Sequence, residues 1–212
     1  MKWHCLYLLA LSAACWLGLS AAMRPGVNQA DKKRYSITES SKLYLTGTTN
    51  VNSFTCDCQD RFVTQVLDVE SSGDHASFQN TRLNMATRKF NCHNAKMDRD
   101  MQKALKAEAY PNIQIELLET WHNPDHAKNG NNNWFDVRAK VKLTISGVTK
   151  VQFIQAQAKA LAKNRFALQG EKALQMTSFG IDPPEAVFGL IKVNDWITFH
   201  FDLVIQVEDE LD

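Results

Sequence analysis

The sequence predicts an all-β protein: an antiparallel, up-and-down barrel carrying one short helix. Three observations point there. Apolar and polar residues alternate through run after run, the period of strands with one apolar and one wet face. Turn signals separate the runs, at Ser72-Gly73-Asp74, Asn129-Gly130-Asn131, Ser146-Gly147 and Asp182-Pro183-Pro184. A single segment has helical periodicity instead. Long strands with one apolar face suit a closed barrel, which leaves no edge exposed.

Taken in order, residues 1–22 read as an export signal. Lys2 is followed by an uncharged run from Cys5 to Ala21, and Ser20, Ala21 and Ala22 offer the small side chains of a cleavage site. The run is short for a retained anchor, and no cluster of positive charge follows it. Lipid attachment at Cys15 is disfavoured, since the expected leucine stands four residues before it, at Leu11. Cleavage after Ala22 would leave 190 of the 212 residues, one large domain. Residues 23–34 are polar, contain Pro25 and Gly26, and are expected to be a flexible extension. The domain is placed at 35–212.

The strands follow. Leu43 and Leu45 share a face, Val63 to Val69 alternates, and so do Leu83 and Met85. Ile113, Ile115 and Leu117 alternate with Gln114 and Glu116. Val137, Ala139, Val141, Leu143 and Ile145 alternate with Arg138, Lys140, Lys142 and Thr144. Phe166 and Leu168 lead toward Leu174 and Met176. Ile197, Phe199, Phe201, Leu203, Ile205 and Val207 form the longest run. Between the third and fourth of these, MDRDMQKALKAEA (97–109) puts Met97, Met101, Ala104, Leu105 and Ala109 on one helical stripe. Asp98 and Asp100 in its first turn complement the helix dipole, and Pro111 ends it. The expectation is a helix of about three turns laid over a barrel opening or edge.

Removing the signal leaves Cys56, Cys58 and Cys92. An exported chain meets an oxidising compartment, so one disulfide is expected. Cys56 and Cys58 are too close in an extended chain to bridge each other comfortably. Cys92 is expected to pair with Cys56, which closes NVNSFTC, with Cys58 as the alternative. A zinc site from the three cysteines and His93 would lack the paired CxxC spacing, and none is expected.

The net charge of +1 falls to zero once Lys2 is removed. That leaves no basic excess for nucleic acid or anionic headgroups. His122 and His126 are spaced like metal ligands, but Pro124 between them prevents a helix from aligning them. His200 falls on the polar face of its strand with no nucleophile or orienting acid beside it in sequence. No phosphate loop, HExxH or GxSxG is present.

Three motifs carry a resemblance: KMDRDMQKALKAEAYPNIQIELLE (Lys96 to Glu119), VRAKVKLTISGVTKVQF (Val137 to Phe153), and Phe179-Gly180-Ile181 followed by VNDWITFHFDLVI. In this order they resemble the YceI-like family, whose members have a lipocalin-like barrel. The chain departs from it in having Met101 and Gln102 where many members have a histidine, and in its cysteines.

The resemblance implies an eight-stranded barrel that binds a polyisoprenoid or isoprenoid-quinone chain and catalyses nothing, in the periplasm or another extracytoplasmic space. No cofactor or metal is implied. Val141, Leu143, Ile145, Phe153, Phe166, Leu168, Ile197, Phe199, Phe201 and Leu203 are the expected ligand-binding residues. Phe153 and Phe188 could close an end of the tube, and Met97, Met101 and Leu105 could touch the ligand from the helix. An eight-stranded barrel has room for one ligand or for its own side chains. The alternative is therefore a filled barrel that binds a partner. Neither the lipid nor the oligomeric state is legible in the sequence.

Overall fold

A computed structural model describes residues 30–122 and 133–209. The expected export signal, residues 23–29 of the extension and the loop holding Pro124 and His126 lie outside the described residues.

Among the described residues, thirteen strands and one α-helix follow in order. The first strands are β1 (Asp31–Ile37), β2 (Lys42–Thr49), β3 (Ser53–Cys58), β4 (Gln65–Ser72), β5 (His75–Gln79), β6 (Arg82–Ala86) and β7 (Phe90–Asn91). Helix α1 (Ala95–Ala104) separates these from β8 (Asn112–His122), β9 (Phe135–Ile145), β10 (Val148–Ala162), β11 (Arg165–Gln175), β12 (Glu185–Ala186) and β13 (Ile191–Asp209). The order β1-β4-β5-β8-β9-β10-β11-β13 closes on itself through pairing of β13 with β1. This is the eight-stranded ring of a lipocalin-like barrel, and closure removes the unpaired edges an open sheet would expose.

The ring changes its members along its axis. Residues Ile205–Asp209 of β13 pair with β1, whereas Val193–Asp202 pair with β2. Likewise β8 pairs with β5 through Glu119–Trp121 and with β6 through Asn112–Glu116. One end is therefore walled by β1, β4 and β5. The other is walled by β2, β3, β7 and β6, and α1 lies at that end.

Register decides which side chains turn inward. On β13, Ile197, Phe199, Phe201, Leu203 and Ile205 stand opposite Leu174, Lys172, Gly170, Leu168 and Phe166 of β11. On β9 the inward set is Val137, Ala139, Val141, Leu143 and Ile145, as their alternation predicts. The β8–β9 register slips between Leu117 and Glu119, so Leu118 is a one-residue bulge. It turns Glu119 and Trp121 outward. The outer face there is held by ion pairs, Lys142 to Glu116 and Lys140 to Glu119, each at 2.6 Å.

Two boundaries differ from the sequence expectation. β1 begins at Asp31, so Asp31–Arg34 pair with β4 instead of belonging to a flexible extension. Composition suggested a tail; cross-strand partners far along the chain make it a strand. Helix α1 starts earlier than expected, because Asn94 caps it by accepting from the N–H groups of Lys96 and Met97. It also stops earlier. Lys106 adopts a left-handed conformation (φ 54°), and the Leu105 carbonyl accepts a bond from Ser146 Oγ at 3.0 Å. The remainder up to Ala109 is turn.

Two of the resembling motifs meet at that point. Gly147 (φ 81°) forms the β9–β10 turn, and a Cβ there would come within 2.5 Å of the Tyr110 ring. Glycine is required both for the backbone conformation and for the close approach.

Candidate functional site

The inward apolar faces enclose a cavity of about 330 Å³ at the helix end of the barrel. Val141, Leu143 and Ile145 of β9 form one wall, and Ile197 and Phe199 of β13 another. Met97, Met101 and Leu105 cover it from α1. The stripe read from the sequence is thus the underside of a lid.

The lid is fastened in three ways. Cys56 and Cys92 are bonded, linking β3 to the residues just before α1, and both line the cavity. The Cys92 N–H donates to Asp98 Oδ1 at 2.7 Å, so an acid of the first helical turn binds back onto the disulfide. Ser146 holds the helix C-terminus, as described above. Among the described residues Cys58 is a free thiol, and burial pushes its pKa up. A protonated, half-buried thiol is a poor nucleophile.

A short 3-10 turn, Thr177–Phe179, closes the side of the cavity next to β11. Asp195 positions it by accepting from the Thr177 N–H at 2.8 Å and the Thr177 hydroxyl at 2.6 Å. These bonds hold the Asp195 carboxyl below its usual range. They set Phe179 and Ile181 in the core, 1% and 2% exposed.

The cavity has a floor. Phe199 lines it, but the next inward residue of β13, Phe201, does not. The Phe201 ring lies over Gly170 on β11, where a Cβ would come within 2.6 Å of it. The same level ends the lining on every neighbouring strand: Leu45 lines the cavity and Leu43 does not, Val141 does and Ala139 does not, Ile154 does and Ala156 does not. The mouth lies at the opposite end. Its rim is formed by Asn52 of the β2–β3 turn, Asn94 and Lys96 at the start of α1, and Glu185 and Val187 of the β12–β13 hairpin, all exposed.

Among the polar residues that line the cavity are Gln152 of β10 and Lys172 of β11. They mark a seam, because backbone pairing of β10 with β11 ends at Ala156–Gly170. Beyond that pair the strands part, and Lys172 Nζ donates to the Phe153 carbonyl at 3.0 Å across the gap.

Of the ten expected ligand-binding residues, Val141, Leu143, Ile145, Ile197 and Phe199 line the cavity. Phe201, Leu203, Leu168 and Phe166 share the inward face but lie at or below the floor. Phe153 is a correction: it stands opposite Lys140 on the outer face, 44% exposed, with the Arg138 guanidinium 4.3 Å above its ring. Both faces of β10 carry apolar residues, so its periodicity could not tell Phe153 from Ile154; the pairing with β9 does. Phe188 closes nothing and projects into solvent. Gln152, Ile154, Lys172, Phe179 and Ile181 line the cavity without having been expected to bind ligand, although Phe179 and Ile181 belong to one of the resembling motifs. The alternation of β9, carried across a β10 register, would have found the first two.

The histidines have structural surroundings. His200 stacks on Tyr44 with ring centroids 4.6 Å apart and bonds Thr46 Oγ1 at 2.9 Å. His122 lies against Phe135, with ring centroids 6.0 Å apart. His93 pairs with Asp57 at 2.8 Å. Among the described residues, no three His, Cys, Asp or Glu side chains gather as a metal-binding group.

A closed antiparallel ring around an apolar, lidded cavity defines a lipocalin-like barrel protein. The chain belongs to the YceI-like domain family, whose model matches residues 30–205. Solved structures agree at the level of the fold. A polyisoprenoid binding domain from Saccharophagus degradans, implicated in plant cell wall breakdown, superposes with a TM-score of 0.59 at 15% identity, over 82% of this chain and 98% of that one. BcnA of Burkholderia cenocepacia gives 0.54 at 16% identity, over 77% and 95%. No curated protein matches the chain.

Proposed function

We propose that this protein is an exported carrier that holds a long apolar chain, a polyisoprenoid or an isoprenoid-quinone tail, inside the barrel. The cavity is the observation that carries this reading. Its wall is almost wholly aliphatic, aromatic and thioether, so it offers a hydrocarbon tail what water cannot. Each buried methylene contributes about 0.8 kcal/mol of transfer free energy, and several isoprene units outweigh the cost of ordering the chain. Nothing in such binding calls for a nucleophile or a general base, and we assign no catalysis.

The volume of about 330 Å³ stands at the small end of ligand pockets, roughly 300–1,000 Å³. In this reading the tail end rests on the floor made by Phe201, and the rest of the ligand leaves through the mouth. Gln152 and Lys172 give the wall a polar point that could meet an oxygen of the ligand. The Cys56–Cys92 bond supports an oxidising compartment, in keeping with the export signal expected at residues 1–22. The Saccharophagus degradans neighbour, described as polyisoprenoid binding, supports the choice of ligand class.

Organic extraction of the natively produced protein, followed by mass spectrometry, tests the proposal. Recovery of a stoichiometric long-chain isoprenoid is the expected result. If protein from its own cells yields no such lipid, and purified protein takes up none when titrated with an isoprenoid alcohol, the carrier reading fails.

A further inference from the structure

The mouth of the cavity carries four strongly exposed apolar residues. Phe188 is 105% exposed, Leu190 71%, Val51 65% and Val187 52%. Scattered apolar residues on a surface need no explanation, but four gathered at one tip do. Val51 belongs to the β2–β3 turn and the other three to the β12–β13 hairpin. Asn50 fuses the two turns: its Nδ2 donates to the Leu190 carbonyl at 2.9 Å, its Oδ1 accepts from the Lys192 N–H at 2.9 Å, and its own N–H donates to the Lys192 carbonyl at 3.1 Å.

The backbone is bent to present these side chains. Val187 and Phe188 both adopt positive φ, 51° and 53°. That conformation is uncommon for any residue with a Cβ and a genuine outlier for a β-branched or bulky one. The apolar core is close by, since Val187 also lines the cavity. The chain nonetheless holds Phe188 in water, in a turn closed by bonds from Gly189 to Ala186 and from Leu190 to Val187.

We infer that Val51, Val187, Phe188 and Leu190 form a membrane-seating tip that sets the mouth of the cavity against a phospholipid bilayer. The inference rests on the reading that the cavity takes a hydrocarbon chain. Such a ligand hardly dissolves in water, so a mouth held at the acyl boundary gives it an apolar path from bilayer to barrel. A lipid surface fits this shape better than a protein partner. The tip is convex and offers four side chains, far short of the roughly 800 Å² per partner of a stable protein interface. A few apolar side chains do suffice to dip into the headgroup region. The charges flanking the hairpin, Glu185 and Lys192, pair with each other at 3.1 Å, and Lys96 on the rim pairs with Asp100 at 2.6 Å. The contact is therefore apolar, and it does not depend on anionic lipid.

The full chain, purified as its cells process it, is to be sedimented with vesicles of phosphatidylethanolamine and phosphatidylglycerol containing no isoprenoid. The wild-type protein is expected to bind them, with little change between low and high salt. The double variant Phe188→Ser/Leu190→Ser is expected to partition at least about tenfold more weakly. Its binding of an isoprenoid alcohol delivered from ethanol should equal wild type, which separates the tip from the cavity. Wild-type protein that stays in the supernatant, a double variant that sediments like wild type, or binding abolished by salt would each overturn the inference. Vesicle binding by a protein that takes up no isoprenoid would support the tip while removing the carrier reading.

Discussion

The two ends of the barrel share β8, β9, β10, β11 and β13, yet the apolar cavity occupies only the end beneath α1. Inward residues are apolar at both ends, so hydrophobic patterning does not distinguish them. Circumference does. At the helix end β2, β3, β7 and β6 stand in the place of β1, β4 and β5, and β10 and β11 part beyond Ala156–Gly170. A longer circuit encloses more than its own side chains can fill, because barrel diameter grows with strand number. At the other end the circuit is shorter, and Phe201 folded over Gly170 separates the two regimes. The hollow end also holds the best-buried side chains, Met85, Phe90, Phe179 and Ile181 among them, packed around the cavity and fastened by the disulfide, the Asp98 bond and the Asp195 bonds.

The largest expected effect attacks that fastening. Replacing Cys56 and Cys92 together with serine should lower the unfolding free energy by about 2–5 kcal/mol in chemical denaturation. Amide exchange should accelerate most in α1. A loss under about 1 kcal/mol would mean that the hollow end is held by packing alone.

Next comes the boundary itself. Phe201→Ala should cost about 3 kcal/mol, at the lower end for a buried aromatic because the ring is only partly buried. It should also deepen the cavity and improve binding of longer isoprenoid chains relative to shorter ones. An unchanged chain-length preference would show that Phe201 is not the floor.

Filling the cavity should do the converse. Ile154→Trp places a large ring in the lining of the hollow end. It should weaken isoprenoid binding about a hundredfold while leaving the melting temperature close to wild type. The corresponding Leu203→Trp, below the floor and outside the lining, should instead leave isoprenoid binding close to wild type. Equal effects of the two changes would erase the distinction between the ends.

The smallest effect concerns the outer face. A hydrogen bond from Lys142, with Arg82 beside it, holds the Glu116 carboxyl below its ordinary value of 4.5. The sign follows from the lowered folded value. The contribution is present above pH 4.5 and is lost as pH falls through the lower, folded value. Glu116→Gln should reduce stability at neutral pH by no more than about 1 kcal/mol, since the pair is partly solvated, and should flatten this part of the acid titration. Denaturant midpoints measured from pH 7 down to pH 3 check both statements.

Most of the architecture was legible because period-two alternation is a local property. The β9 and β13 runs announced their inward faces residue by residue, and the α1 stripe announced a lid. What failed to read shows where locality ends. Phe153 and Ile154 lie on opposite faces of a strand that is apolar on both, and only the pairing of β10 with β9 chooses between them. Asp31–Arg34 look like a tail until β4 and β13 supply partners. The Asn94 cap lies ahead of the apolar stripe, so the stripe alone does not locate the start of α1.

By itself the sequence determined the strand class, the inward faces of the regular strands and the single lid helix, because each depends on spacing along the chain, and it left Cys56 and Cys58 as the two candidates for Cys92. Only the tertiary structure decided that the barrel is hollow at one end, where its floor lies and that Phe188 faces water. Those outcomes depend on which strands meet around the ring, and on how many, which no local pattern encodes.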